Sequence, residues 1–186
     1  MARFQFTATP LSGLWSVQGT RLEDERGFLE RLYCAEEFSA AGWRGSIAQI
    51  NHSFTRRRGA VRGLHFQHAP CAEDKLVNCL RGAVFDVAVD LRQGSPTLLQ
   101  WHAEVLSASN ARALLIPRGF AHGFQALSQD CELLYLHSSA YAPQAEGALN
   151  VRDPRLAIAW PEPISELSPR DANHPLLGND YAGIQV

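Results

Sequence analysis

The chain has no apolar run long enough to span a bilayer, which excludes a transmembrane helix and leaves no membrane partner to expect. Its first residues, Met1-Ala2-Arg3-Phe4-Gln5-Phe6, lack the continuous apolar stretch of a signal peptide. Cysteine is sparse and scattered: Cys34, Cys71, Cys79 and Cys131 form no CxxC pair. Cys79 and Cys131 sit in apolar runs and read as small core residues. A reduced, cytoplasmic protein is the resulting expectation. Neither sign of charge dominates, the formal net charge being −2, so a nucleic-acid partner held by bulk charge is not expected. The short cluster Arg56-Arg57-Arg58 reads as a solvated loop or an anion contact. There is no GxGxxG fingerprint for a dinucleotide, no internal repeat and no low-complexity segment. Helical signal is thin as well. Only Ala35–Ala41, stopped by Gly42, reads as a short helix.

What the chain does have is strand. Its 186 residues, 46% apolar and 19% charged, suit one domain with a full core over 1–186. Short β-like runs recur between turn signals: Leu14–Val17, Phe28–Tyr33, Ile47–Phe54, Val61–Gln67, Leu98–Val105, Arg112–Ile116, His122–Ala126 and Cys131–Ser138. Lys75–Leu80, a turn at Arg81-Gly82 and then Ala83–Asp90 predict a hairpin in which Leu80 pairs Ala83, Cys79 pairs Val84 and Val77 pairs Asp86. Alternation puts Lys75, Val77, Cys79, Val84, Asp86, Ala88 and Asp90 on one face. That mixture suits a barrel interior holding a polar ligand, or else a plain Lys75–Asp86 ion pair. Leu76, Leu80, Phe85, Val87 and Val89 form an ordinary core face. The pattern predicts an all-β barrel or sandwich. From about Trp160 the chain turns proline-rich (Pro161, Pro163, Pro169, Pro175), which implies an ordered tail wrapped on the barrel.

The segment Gly59-Ala-Val-Arg-Gly-Leu-His-Phe-Gln67 carries the strongest chemical signal. His65 lies in an apolar strand-like run, three residues after a lone arginine, Arg62. An imidazole exchanges protons near neutral pH, and a guanidinium grips phosphate or carboxylate through two donors. Such a pair suits proton abstraction from an anionic substrate, although a single histidine in a β-protein is also compatible with a purely structural place.

Further motifs follow in order. They are Asp24-Glu25-Arg26-Gly27-Phe28, Gln49-Ile50-Asn51-His52-Ser53, Arg62-Gly63-Leu64-His65-Phe66-Gln67 and Lys75-Leu76-Val77. Then come Gly82 to Arg92, Ser95-Pro96-Thr97, Ile116-Pro117-Arg118-Gly119-Phe120-Ala121-His122-Gly123-Phe124, Tyr135, Tyr141, Glu146, Asp153-Pro154, Trp160-Pro161 and Leu167-Ser168-Pro169-Arg170-Asp171. Over about residues 10–175 this series resembles the dTDP-4-dehydrorhamnose 3,5-epimerase family of cupin-type sugar-nucleotide epimerases. The resemblance implies a jelly-roll (cupin) barrel with a few short helices, a homodimer, a dTDP-sugar substrate and epimerisation beside a 4-keto group with no cofactor and no metal. It places the family's histidine base and its aspartate on His65 and Asp171, the acid tyrosine on Tyr135 and the active-site lysine on Lys75. Substrate contacts fall on Arg26, Gln49, Asn51, Arg62, His122, Tyr141, Glu146 and Arg170.

The chemistry asks for such residues. A C–H beside a ketone is acidic only because its anion spreads onto the carbonyl oxygen. A histidine can take that proton, an aspartate on its far nitrogen fixes the tautomer, and a lysine can meet the enolate oxygen. Inversion needs a proton returned from the opposite face, which a tyrosine can supply. Taken singly, Tyr135 could be an aromatic core residue, Asp171 a cap or turn residue, and His122 a core histidine.

The chain departs from the family pattern at three places. Arg31 stands where a glutamate is usual after Arg26, with Glu30 one position earlier; Leu136 follows the tyrosine; Ala140 precedes Tyr141. These changes are expected to touch the substrate pocket and to admit a related deoxysugar, or inversion at a single carbon. Three other readings compete: a metal cupin using His65, His68, His122 and a carboxylate, a non-catalytic sugar-nucleotide binder, and a ketoisomerase. The metal reading needs a His-x-His pair, and the chain offers His65-x-x-His68 followed by Glu73.

Overall fold

The computed structural model describes residues 3–186. Thirteen strands occur among them: β1 (Phe4–Ala8), β2 (Trp15–Gly19), β3 (Arg21–Asp24), β4 (Gly27–Glu30), β5 (Gln49–Thr55), β6 (Val61–Gln67), β7 (Lys75–Arg81), β8 (Ala83–Asp90), β9 (Trp101–Ser107), β10 (Arg112–Ile116), β11 (Phe120–Ala126), β12 (Cys131–His137) and β13 (Glu146–Ala148). A six-stranded antiparallel sheet runs β1-β2-β10-β7-β12-β5, and a five-stranded one runs β13-β6-β11-β8-β9. Strands β3 and β4 pair only with each other, as a separate ribbon. The two large sheets face each other as a jelly roll of the cupin type, as expected.

Three apolar layers follow. The inner one, between the sheets, holds Leu11, Val77, Val84, Ala88, Leu106, Leu114, Phe124 and Leu133. Leu76, Ala113, Leu115 and Leu136 lie on the outer face of the six-stranded sheet, under helix α1 (Ala35–Ala40) and its buried Phe38. Val61, Leu64, Phe66, Val87 and Val89 lie on the outer face of the five-stranded sheet, under the C-terminal tail with Leu156, Trp160, Leu167 and Ile184. Both sheets are therefore buried on both faces over much of their area, which explains near-continuous apolar runs such as β6. The tail is ordered and wrapped, as its prolines suggested.

The expected hairpin is overturned. Strand β7 pairs with β10 and β12, while β8 pairs with β11 and β9, so the chain crosses from one sheet to the other at Arg81-Gly82. Gly82 has φ +74, and a Cβ there would come within 2.4 Å of Ser128 Oγ. The local turn signal is the same for a hairpin and for a sheet-to-sheet corner; only the partners differ. The face assignment survives the error, since Val77, Cys79, Val84 and Ala88 do share the inner core. The other face splits between the two outer layers, and Leu80 is 41% exposed. No Lys75–Asp86 pair forms: Lys75 binds Glu73 and Asp86 binds His122.

A bulge shapes the site. Opposite β11, His65 pairs His122 and Arg62 pairs Phe124, so three steps along β6 match two along β11. In a regular strand Arg62 and His65 would point to opposite faces. The extra residue restores both to the inner face. Gly63 is required here, with φ +123 and a Cβ that would meet the Gly123 Cα at 2.5 Å.

Candidate active site

Between the sheets, at one end of the barrel, lies a cavity of about 1110 Å³. Eleven of the twelve residues singled out by sequence line it: His65, Lys75, Tyr135, Asp171, Gln49, Asn51, Arg62, His122, Tyr141, Glu146 and Arg170. Arg26 does not. It sits on the β3–β4 ribbon, 89% exposed and paired with Asp24.

His65 Nε2 lies 2.8 Å from Asp171 Oδ1. Asp171 belongs to the short helix α2 (Pro169–Ala172), whose N-cap Ser168 accepts the Asp171 amide at 3.0 Å. The carboxylate is buried. Burial alone would raise its pKa, but the hydrogen bond and charge of His65, the Gly63 N–H and Ser168 hold it below the ordinary value. An ionised Asp171 on Nε2 keeps the proton there and leaves Nδ1 free to accept one.

Across the cavity, on the other sheet, the Tyr135 hydroxyl bonds Ser53 Oγ at 3.2 Å. Burial, against the pull of Ser53, pushes this phenol well above its ordinary value, so it remains a proton donor at neutral pH. A second histidine–carboxylate pair, His122 Nε2 to Asp86 Oδ1 at 2.8 Å, lies beside it, with the His122 and Tyr135 rings 6.0 Å apart. Burial pushes the Asp86 carboxyl up, against the charges of His122 and Lys75.

The Lys75 ammonium bonds Glu73 Oε1 at 3.1 Å and the backbone carbonyl of His65 at 3.3 Å. Polar groups ring the mouth. Arg62 bonds Thr55 Oγ1 at 3.0 Å and the Phe54 carbonyl at 3.1 Å. Gln49 bonds Asn51 at 3.0 Å and receives the Tyr141 amide at 3.0 Å. Tyr141 donates to Glu146 at 2.9 Å, and Glu146 also pairs with Arg170.

Some expectations fail. Leu136 does not touch the cavity: it faces the opposite way from Tyr135 and packs under α1. Ala140 also lies outside the lining and contributes its carbonyl to Gln67. Arg31 lies beside Glu37 at 3.9 Å, and Glu30 pairs with Arg21 at 2.9 Å, both away from the cavity. Nor do His65, His68 and His122 converge as metal ligands. His68 is exposed against the Phe66 ring, and the other two are engaged by their aspartates. Among the described residues the donor atoms that do cluster are those of His65, Asp171 and His174.

Sequence reasoning missed Glu73 and His137, which line the cavity beside Lys75, and Ser53, the partner of Tyr135. The signal was available: Glu73 is two residues before Lys75, and His137 is two after Tyr135 on the same strand face.

A cupin barrel whose cavity sets a histidine on one sheet, bonded to an aspartate of α2, against a protonated tyrosine and a lysine on the other has the groups of an acid–base enzyme of the cupin class. Comparison narrows the class. The dTDP-4-dehydrorhamnose 3,5-epimerase family pattern matches residues 8–179, and the chain belongs to that family. It is 46% identical to the dTDP-4-dehydrorhamnose 3,5-epimerase of Salmonella typhimurium, over 83% of this chain and 85% of that one. It is 42% identical to the dTDP-4-dehydrorhamnose 3-epimerase of Streptomyces niveus, over 90% and 81%. The crystal structure of the Legionella pneumophila dTDP-6-deoxy-D-glucose-3,5-epimerase in complex with dTDP-4-keto-L-rhamnose superposes with a TM-score of 0.90 at 37% identity, over 98% of each chain.

Proposed function

We propose that the chain, working as one cupin-type domain over 1–186, epimerises a dTDP-4-keto-6-deoxyhexose, converting dTDP-4-dehydro-6-deoxyglucose to dTDP-4-dehydrorhamnose. The observation that carries this reading is the opposition of His65–Asp171 on β6 and α2 to Tyr135 on β12, across one cavity. His65 Nδ1 takes the proton beside the ketone, and Asp171 stabilises the imidazolium that forms. The electron pair moves onto the carbonyl oxygen, where Lys75 stabilises the enolate and His122 assists. Tyr135 returns a proton from the other face, inverting the carbon. Proton removal and return involve no net oxidation, so the step needs neither nicotinamide nor metal.

Gln49, Asn51, Arg62, Tyr141, Glu146 and Arg170 contact the substrate, the cationic side chains suiting a nucleoside diphosphate. Arg26 reaches substrate only if the β3–β4 ribbon enters another subunit, which agrees with a homodimer and with the exposed Phe28 and Leu29 of that ribbon. No helix of the described residues is long and apolar enough to cross a membrane, and the four free cysteines suit a cytoplasmic setting.

Incubation with dTDP-4-keto-6-deoxyglucose in D₂O tests the reading. Deuterium is expected at C3 and C5 of an inverted product. Inversion and label at C3 alone would establish the single-carbon reading, favoured by relatives named 3-epimerases. A ketose product would establish a ketoisomerase, and no exchange at either carbon would end the epimerase proposal.

A further inference from the structure

In the lining of the cavity two ionisable side chains, Lys75 and His137, share the Glu73 carboxylate. Glu73 Oε1 accepts from Lys75 Nζ at 3.1 Å, and Glu73 Oε2 bonds His137 Nδ1 at 3.0 Å. All three line the cavity, with side chains 8–11% exposed. Gln67 Nε2 donates to the same Oε2 at 3.3 Å, and Asn51 Nδ2 lies 3.4 Å from His137 Nε2. The His137 and Tyr135 rings stack with centroids 6.2 Å apart. Burial would raise the Glu73 carboxyl, but the His137 hydrogen bond and the Lys75 and His137 charges outweigh it and hold it below the ordinary value.

We infer that Glu73 and His137 are positioning residues for the epimerisation: Glu73 aims the Lys75 ammonium, and the protonation of His137 sets how much of the Lys75 charge reaches the enolate. An ammonium has three donors. Glu73 and the His65 carbonyl hold two of them, leaving the third for the substrate oxygen. The tether to the His65 carbonyl also fixes that donor relative to the base. The carboxylate that aims Lys75 also offsets it, since a Glu73–Lys75 pair is neutral overall. With His137 neutral, the floor of the site carries no net charge. With His137 protonated, Glu73 is shared between two cations and the floor carries one positive charge.

Because the ketone is neutral and the enolate is anionic, this difference acts in the transition state far more than in substrate binding. It belongs in kcat more than in KM. The other groups facing His137 do not play this part. Tyr135, on its own strand, is held protonated, and β5 contributes the uncharged Asn51. On the facing sheet His65 and His122 are each bound to an aspartate of their own, and Tyr141, Glu146 and Arg170 bond one another at the mouth.

This inference rests on the epimerase reading, and its test separates the two. The measurements are kcat and KM for epimerisation from pH 5 to 9, for the wild type, His137→Asn and Glu73→Gln, each checked for folding by thermal unfolding. Asn keeps a donor close to where Nδ1 stands but cannot titrate. Wild-type kcat is expected to fall on the order of tenfold as His137 loses its proton, with KM little changed. His137→Asn is expected to lack that fall and to stay at the low, neutral-histidine level. His137→Asn carries a readout independent of turnover: the Glu73 carboxyl, followed by ¹³C NMR, is expected to titrate at higher pH than in the wild type, because the imidazole that helps hold it down is gone. Wild-type and His137→Asn kcat profiles of the same shape would overturn the inference, as would a Glu73 titration unmoved by His137→Asn. Should His137→Asn fail to fold, Glu73→Gln decides alone: its kcat is expected to fall with KM little changed, and a wild-type kcat at every pH would overturn the inference. A wild type that exchanges no substrate proton at any pH would sink the epimerase reading and this inference together; turnover with unaltered pH dependence sinks the inference only.

Discussion

In the proposed reaction His65, Asp171 and Tyr135 act on one proton path, and their substitutions would separate its steps. His65→Ala removes the proposed base and is expected to lower C–H exchange by roughly 10²–10⁴-fold with the fold intact. Asp171→Asn leaves the base but loses the carboxylate on Nε2, so its loss should be smaller; equal or greater damage would contradict that order. Tyr135→Phe keeps the ring and removes the donor. The enolate should then form and be reprotonated on the face it came from, so deuterium washes in faster than configuration inverts. Wild-type inversion by Tyr135→Phe would return Tyr135 to the core. That these residues would line one cavity was legible because they fall in one ordered series that resembles a known family. Glu73, His137 and Ser53 were not singled out, because their significance lies in what they touch: Glu73 becomes notable only when Lys75 and His137 are seen on its two oxygens.

At the scale of elements, the sequence reading located most strands to within a few residues. β6 and β10 agree in full with the expected Val61–Gln67 and Arg112–Ile116. It missed the short strands β1 and β3, which pair with their neighbours β2 and β4, as well as β13, which forms only against β6, and it took the β7–β8 corner for a hairpin. The last two depend on contacts far away in sequence. The β6 bulge is a device of this kind, and Gly63→Ala should break it. A Cβ there meets backbone of β11, which cannot swing away, and the φ of +123 is strained for alanine. A loss of about 3 kcal/mol or more in urea unfolding is expected, with activity lost as Arg62 and His65 part. A variant of wild-type stability would show that the two strands can separate at no cost.

The turn after β8 gives a pH signature. Burial acts to raise the Asp90 carboxyl, but Arg92, Ser95, Thr97 and the Arg92 amide together hold it down at about 2. A depressed carboxylate adds stability that is fully present above its unfolded pKa, near ~3.9, and is lost as pH falls through the folded value. Asp90 should therefore contribute on the order of 2 kcal/mol above about pH 4.5, fading toward pH 2. Asp90→Asn should lower stability at pH 7 by a similar amount and flatten the dependence between pH 4 and 2, measured by denaturant unfolding. Equal slopes for the two proteins would refute this assignment.

For the whole molecule the open element is the β3–β4 ribbon. It leaves Leu22, Phe28 and Leu29 at 45, 59 and 70% exposure and carries Arg26 outside the cavity of its own subunit. No isolated chain needs such a surface, whereas a dimer that exchanges ribbons would cover it and deliver Arg26 to the partner's cavity. Subunit mixing tests this directly. Homodimers of Arg26→Ala and of His65→Ala should each be strongly impaired. After the two are mixed, unfolded and refolded together, every mixed dimer would contain one cavity with both an intact His65 and an intact Arg26 from the other chain. Half the dimers are mixed under random reassociation, so about a quarter of wild-type activity should return. If Arg26 served its own cavity, no complete site could form, and the mixture would be no more active than its parts.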